Sequence, residues 1–345
     1  MLPALKTLLA TSGGSPSLNK YSIGHLNRMN YKLNYFLLAL LPAFAIAQRI
    51  DNTASFRDIA KNSYFRFSYD NDFFTATDIY YTQGYVIELV TPWLKKNPVN
   101  AVLIKPSGLV IKYGLDFEQT GFIPTDITAT QILYGDRPYA STIALKSFII
   151  ATDTLHKSRW VSSLTIGMIG PAALGDEIQT GIHKWIEDDL PQGWKYQIHN
   201  DLVLDYELAY EKQLLRYQKF LAVNFNSKAR LGTLNTNVST GINATLGLIN
   251  APFDISAKKP FTAYLYSQPL VTAVGYDATL QGGLFTKSIY TIPDNAVERL
   301  TLQNNFGIIV QYHSLYFEYS RSMITREFKT GHSHKWGGFK IGFKI

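Results

Sequence analysis

Beyond Gln48 the chain alternates apolar and polar residues with a period of two, and this pattern restricts its possible folds more than any other feature. Phe65, Phe67 and Tyr69 alternate with Arg66, Ser68 and Asp70, and the chain ends with Phe339, Ile341, Phe343 and Ile345 set against Lys340, Gly342 and Lys344. A period of two marks strands whose faces meet different surroundings. After the N-terminal region no apolar run approaches the roughly 20 residues that a membrane helix needs. In hydrocarbon a sheet must pair every backbone group internally, so strands can cross only as a closed barrel. The expected fold is all-β, a transmembrane antiparallel β-barrel. Composition agrees, because aromatic residues reach 14% and charged residues only 17%, below the roughly 25% usual in soluble domains.

Alternating segments fall near residues 63–70, 81–91, 108–118, 141–152, 159–169, 201–214, 219–231, 237–248, 261–280, 300–311, 314–325 and 336–345. That predicts about 12 strands, an even number as bacterial single-chain barrels require, with ten or fourteen as alternatives. With the N-terminus in the periplasm, every odd-to-even connection lies outside the cell. The connections at 92–107 and 249–260 are longer than periplasmic turns usually are.

Residues 35–47, YFLLALLPAFAIA, are too short to span a bilayer and end in an A-x-A pattern. They read as a secretory signal peptide cleaved before Gln48. The expected organisation is an N-terminal extension and signal peptide over 1–47, starting either at Met29 or as a long charged leader, followed by one barrel domain over 48–345. The chain has no cysteine, which excludes disulfides, thiolate metal sites and thiol nucleophiles. Its net charge of +7 is scattered rather than gathered in a basic block, so no nucleic-acid partner is expected.

One connection has helical spacing. In residues 174–189, LGDEIQTGIHKWIEDD, Ile178, Ile182, Trp185 and Ile186 form an apolar stripe, while Asp176, Gln179 and His183 follow on a neighbouring stripe. A short helix in an extracellular loop is expected, its apolar side against the barrel rim or the lipid headgroups. Two other polar clusters fall at odd-to-even connections. One is Asp70, Asn71 and Asp72 with Asp78, Tyr80, Tyr81 and Thr82; the other is Gly135 to Tyr139. Carboxylate and amide oxygens suit a hard cation such as calcium, and an imidazole nearby can act as general base toward water. Together they could form a hydrolase that needs no serine or cysteine nucleophile.

At these residues the sequence resembles the outer-membrane lipid A 3′-O-deacylases. The matching pieces are N-D-F-F at 71–74, T-D-I-Y-Y-T-Q-G at 77–84, G-D-R-P-Y-A at 135–140, G-P-A-A-L-G-D-E-I-Q-T-G-I-H-K at 170–184 and P-Q-G-W at 191–194. They cover about the first half of the mature chain in the family's order; the second half matches only in barrel character. The resemblance implies a twelve-stranded barrel in the bacterial outer membrane that hydrolyses the ester-linked 3′ acyloxyacyl chain of lipid A. It also implies calcium (Ca2+) dependence, with the cation stabilising the oxyanion and a histidine activating water. Carried over by position, His183 would be the base, with Asn71, Thr82 and Gln179 in the same catalytic site. Asp72 would be a calcium ligand, and Asp189, standing where the family can place a glutamate, a second acid at the metal. The Lys/Arg pair that some members carry before G-D-R has no clear counterpart in 125–133.

The partners expected are lipid A or lipopolysaccharide as substrate and the surrounding membrane lipids, with the chain acting as a monomer. Alternatives are an outer-membrane phospholipase with the same chemistry and a non-enzymatic porin or adhesion barrel. Blander expectations attach to several residues: Asp136 and Arg137 as an ion pair organising a loop, Tyr80 and Tyr81 in the outer aromatic girdle, and His332 and His334 as solvated loop residues.

Overall fold

The computed structural model describes residues 51–345 apart from 78, 250–251 and 254–259, so the signal peptide and its cleavage before Gln48 lie outside the described residues, as does Asp78. Twelve antiparallel strands form a closed barrel. They are β1 (Tyr64–Asn71), β2 (Tyr80–Val90), β3 (Val110–Ile123), β4 (Ala140–Asp153), β5 (Ser158–Ile169), β6 (Asp201–Tyr217), β7 (Leu221–Gly232), β8 (Asn235–Leu248), β9 (Phe261–Asp277), β10 (Leu300–Tyr312), β11 (Leu315–Ile324) and β12 (His334–Lys344). The C-terminal strand closes the ring on the first, with Tyr64 opposite Lys344 and Asn71 opposite Gly337. No free edge remains, which is the condition for spanning hydrocarbon.

The alternation sorts side chains as a membrane barrel requires. Along β1 every second residue, from Tyr64 through Arg66 and Ser68 to Asp70, is buried inside. Apolar residues such as Ile87, Phe117, Leu145, Leu265 and Phe343 are exposed on the outer wall. Turns at 154–157, 218–220 and 313–314 close one end, whereas connections at 124–139, 170–200 and 278–299 crowd the other. Short turns belong to the periplasmic side and long loops to the cell exterior.

The alternation does not reveal that residues 51–59 fold back into the periplasmic end of the lumen. Phe56, Arg57 and Ile59 are buried there. Arg57 Nε donates to Glu318 Oε1 at 2.9 Å, Arg66 donates to the carbonyls of Arg57 and Asn52, and the Tyr264 hydroxyl donates to the Phe56 carbonyl at 2.6 Å. Lys112 and Arg159 hold Asp58, and Lys228 holds Asp51. These pairs offset the cost of burying so many charges in the lumen. At the outer mouth Arg137, from the β3–β4 connection, pairs with Glu327 of the β11–β12 connection and donates to Thr279 Oγ1 of the β9–β10 connection. Its guanidinium lies 4.4 Å from the Phe122 ring centroid. Between the two ends a cavity of about 90 Å³ is lined by Lys146, Glu207, Lys228 and Arg230 among others. With plug and mouth both tied, the barrel in planar bilayers should show no sustained porin-size conductance steps, and recording such steps would contradict this packing.

Three of the blander expectations are corrected here. Asp136 does not pair with Arg137; it accepts from the Thr125 amide at 2.8 Å and the Thr125 hydroxyl at 2.5 Å. His334 is buried, with its ring 5.0 Å from Tyr80 and 5.7 Å from Trp336. Tyr80 and Tyr81 also point inward, buried against Phe328 and Phe122 respectively. Tyr80 is turned in by its own left-handed backbone, φ 71°; for Tyr81 the reason is a bulge, since Tyr81 pairs with Phe122 and Gln83 with Gly121, so Thr82 is an extra residue. Downstream of it Tyr85 faces out. A strict period of two would put Tyr81 out as well, but one inserted residue reverses the faces.

Candidate active site

The bulge also builds the site. It turns Thr82 and Gln83 onto the outer wall together, where both side chains meet the surface of Gly121: a Cβ there would lie 3.1 Å from Thr82 Cγ2 and 3.2 Å from Gln83 Cγ. Two polar side chains on the outside of a membrane barrel are costly unless covered and paired. The connection between β5 and β6 covers them. Thr82 is 4% exposed and Gln83 1%. Gln83 Nε2 donates to Gln119 Oε1 at 3.5 Å, and Gln119 Nε2 donates to the Ala173 carbonyl at 3.4 Å.

The cover contains α1 (Gly175–Ile186), the helix expected within 174–189. Asp176 and Glu177 lie in its first turn and His183 and Lys184 in its last, the charge order the helix dipole favours. The helix starts directly on the wall: a Cβ at Gly175 would come within 2.5 Å of Ser141 Cβ and 2.6 Å of the Trp194 ring, so only glycine allows this contact. The helix presents its polar side to the barrel. Gln179 is 1% exposed and His183 8%, whereas Trp185 is 84% exposed and Ile186 48%. Of the apolar stripe, Ile178 and Ile182 are half-buried and Trp185 and Ile186 are turned away from the barrel. For a helix lying at a membrane interface that is the favourable orientation.

The hydrogen bonds fix orientation as well as position. The Trp194 indole can only donate, and its Nε1 does so to Gln179 Oε1 at 2.8 Å. That assigns the carboxamide, so Gln179 Nε2 donates to Thr82 Oγ1 at 3.2 Å and the Thr82 hydroxyl proton points elsewhere. His183 lies one helical turn beyond Gln179. The helix ends at Glu187 in the left-handed region, φ 59°, and the chain turns back under its own last turn. This return brings the Asp189 carbonyl to 2.5 Å from His183 Nδ1. A carbonyl only accepts, so Nδ1 carries the proton and Nε2 keeps its lone pair for a substrate-side proton.

The β1–β2 hairpin sets the acidic corner at the same end, since Asp70 lies opposite Gly84 in its register. Asn71 faces outward but its amide is used locally, Oδ1 accepting from the Phe73 amide and Nδ2 donating to the Tyr69 hydroxyl. Asp72 is 2% exposed and its Oδ2 accepts from the Ile79 amide at 2.7 Å. Asp189 is exposed on its side chain and enters the site through its main-chain carbonyl. Among the described residues no group of three or more acidic or imidazole side chains could hold a metal ion. The polar groups at this end, the Asp72 carboxylate with hydroxyl, carbonyl and carboxamide oxygens, are oxygen donors only, a chemistry that suits calcium better than a softer metal.

The outer face therefore gathers Thr82, Gln179 and His183 directly and places Asn71 and Asp72 at the adjoining hairpin end. The sequence reading did not assign roles to Gln83, Gln119 and Trp194; the signal available for the last was a tryptophan inside the polar P-Q-G-W turn. The sequence profile described as outer membrane protein LpxR matches residues 33–345. The chain belongs to the LpxR family. It is accordingly a protein of the bacterial outer membrane and a lipid A deacylase. Among solved structures, LpxR from Salmonella typhimurium matches with a TM-score of 0.66 and 18% identity, covering 82% of this chain and 100% of that one, a likeness of fold. The β domain of the Bordetella autotransporter BrkA matches with a TM-score of 0.42 and 7% identity, covering 82% of this chain and 99% of that one. No curated protein sequence matches the chain.

Trp194→Phe removes the indole donor, together with the far edge of the ring that packs on Gly175. Leaving the buried Gln179 oxygen unpaired costs about 1–3 kcal/mol. Turnover should fall about tenfold with the heat-modifiable migration of the barrel unchanged; unaltered initial rates would show that the carboxamide needs no such fixing.

Proposed function

We propose that this LpxR-family deacylase hydrolyses the ester-linked 3′ acyloxyacyl chain of lipid A, with His183 activating water and calcium stabilising the oxyanion. The observation that carries this reading is the burial of Gln179 against Thr82 of the barrel's outer wall, outside the lumen, with His183 buried one helical turn beyond it. A lipid in the outer leaflet reaches that wall sideways without leaving the membrane, and the exposed Trp185 and Ile186 border its approach.

In this mechanism His183 Nε2 takes a proton from water as the water attacks the ester carbonyl. The imidazolium so formed is held by the Asp189 carbonyl at Nδ1 and returns the proton to the departing sugar oxygen. The Thr82 hydroxyl, fixed by Gln179, donates to the carbonyl oxygen as it gains charge. Products are a fatty acid and a free 3′ hydroxyl. Calcium, held by Asp72 with neutral oxygens of the same corner, would supply positive charge to stabilise that oxygen. Asn71 shapes the corner by capping the turn that carries Asp72.

One buried carboxylate makes a weak calcium site, of the class binding at about 0.1–1 mM. Mass spectrometry of lipid A after incubation with the purified barrel should show loss of one acyloxyacyl group with calcium present and none with chelator, the half-maximal concentration lying in that range. Full activity in chelator would remove the cation from the mechanism. Consumption of glycerophospholipid with lipid A untouched would favour the phospholipase alternative. The tied plug and mouth leave the porin alternative without structural support.

A further inference from the structure

We propose that the segment joining β2 to β3, residues 91–109, is a binding site for anionic glycerophospholipid headgroups in the periplasmic leaflet. It lies at the end opposite the site described above, and the proposal is independent of the deacylase reading. The connections at 154–157, 218–220 and 313–314 are tight, but this one carries two short 3-10 turns, Pro92–Lys96 and Pro98–Ala101, and runs up the outside of the barrel.

Its path is fixed by hydrogen bonds to outward-facing polar groups of three strands. Asn97 Nδ2 donates to Ser147 Oγ on β4 at 3.0 Å. Ser162 Oγ on β5 donates to the Ile104 carbonyl at 2.8 Å, and the Ile104 amide donates to the Tyr206 hydroxyl on β6 at 2.9 Å. Ser147 and Ser162 would meet lipid unpaired were the segment lifted away, so the wall is built to carry it. The segment's inner side is buried through Leu94, Asn100 and Leu103.

Its outer side combines two chemistries. Trp93 is 71% exposed, and Val102 and Ile104 are exposed with it, at the end of the barrel where Tyr217, Phe220 and Tyr312 mark the interfacial girdle. Lys95, Lys96 and Lys105 are exposed beside them. The two stretches of lysine are brought together by Asn100, whose side chain donates to the Leu94 and Lys95 carbonyls and whose own carbonyl accepts from Lys105 Nζ at 3.0 Å. Aromatic and aliphatic groups that enter the leaflet, with ammonium groups at its surface, are the features that recognise an anionic phospholipid. A soluble acidic partner would not require the apolar half.

The test reads lipids retained by the full barrel after delipidation and exchange into nanodiscs of phosphatidylcholine with or without phosphatidylglycerol, followed by native mass spectrometry. Wild type should retain phosphatidylglycerol over phosphatidylcholine by about tenfold or more at low salt. The preference should collapse in 1 M sodium chloride and withstand millimolar glycerol phosphate. The triple variant Lys95→Gln, Lys96→Gln, Lys105→Gln should lose it while keeping heat-modifiable migration and deacylation. In brominated lipid, Trp93→Phe should lower the quenchable fluorescence. Equal retention of both lipids by wild type would overturn the proposal, as would displacement by glycerol phosphate or undiminished preference in a folded triple variant. The wild-type salt and competition arms decide the matter even if a variant fails to fold.

Discussion

His183→Ala is expected to slow deacylation of lipid A by about 100- to 10,000-fold, the usual contribution of a positioned general base. The barrel should be unaffected, because α1 is an external cover and the hydrogen bond its imidazole makes among the described residues is to the Asp189 carbonyl and not to the sheet. The size of the effect follows from preorganisation. The Asp189 carbonyl holds Nδ1–H, so the basic nitrogen is already directed, and the other buried residues of α1, Gly175 and Gln179, carry no basic group. Initial rates by mass spectrometry at saturating calcium provide the check. A residual rate above one tenth of wild type would place the proton transfer elsewhere.

Glu318→Ala should cost the barrel about 3–5 kcal/mol, the penalty for leaving a buried charge without its partner. Glu318 is fully buried and accepts from Arg57 Nε at 2.9 Å, from the Tyr266 hydroxyl at 2.6 Å and from the Tyr316 hydroxyl at 2.5 Å. Its loss strands Arg57, which is the centre of the plug. Arg57→Met alone should cost a similar amount, and Arg57→Met combined with Glu318→Leu should recover part of it, since removing both charges removes the desolvation penalty as well. Urea titration of the folded, heat-modifiable form measures all three. Additive losses in the double variant would show that the pair is not the coupled unit it is taken to be. Because the plug lies inside the barrel and the candidate site outside, the folded fraction of each variant should keep its specific deacylase rate.

Much of this architecture could be read beforehand because the two faces of each strand meet environments as different as hydrocarbon and a charged lumen. Phe339, Ile341 and Phe343 have no alternative face once Lys340 is committed to the interior. Eleven of the strands were within reach on that ground, and the remaining one, β3, was found but cut short at 118 because Gln119, Thr120 and Gly121 do not look like a membrane wall. Gln119 and Gly121 are buried beneath the covering connection and Thr120 faces the lumen beside Thr142, so polarity there reports a site and not the end of a strand. The same cause hid the plug: residues 51–59 mix Asn, Thr, Ser and Arg, and only a lumen lined with Glu211, Glu318 and Glu88 makes that composition a buried one.

The sequence by itself determined the barrel, an even strand number near twelve, the helix and the end at which the polar clusters gather, since these depend on periodicity and on the impossibility of a free sheet edge in lipid; the closed ring of twelve is the structure's. Only the tertiary structure decided which way side chains turn where periodicity breaks. The added residue at Thr82 reverses the wall so that Tyr81 enters the lumen and Thr82 meets Gln179 outside. The left-handed turn at Glu187 makes a main-chain carbonyl, and not a carboxylate, the partner of the imidazole. Neither event leaves a period in the chain, because each is one backbone step whose cost is offset by contacts from strands and loops far away in sequence.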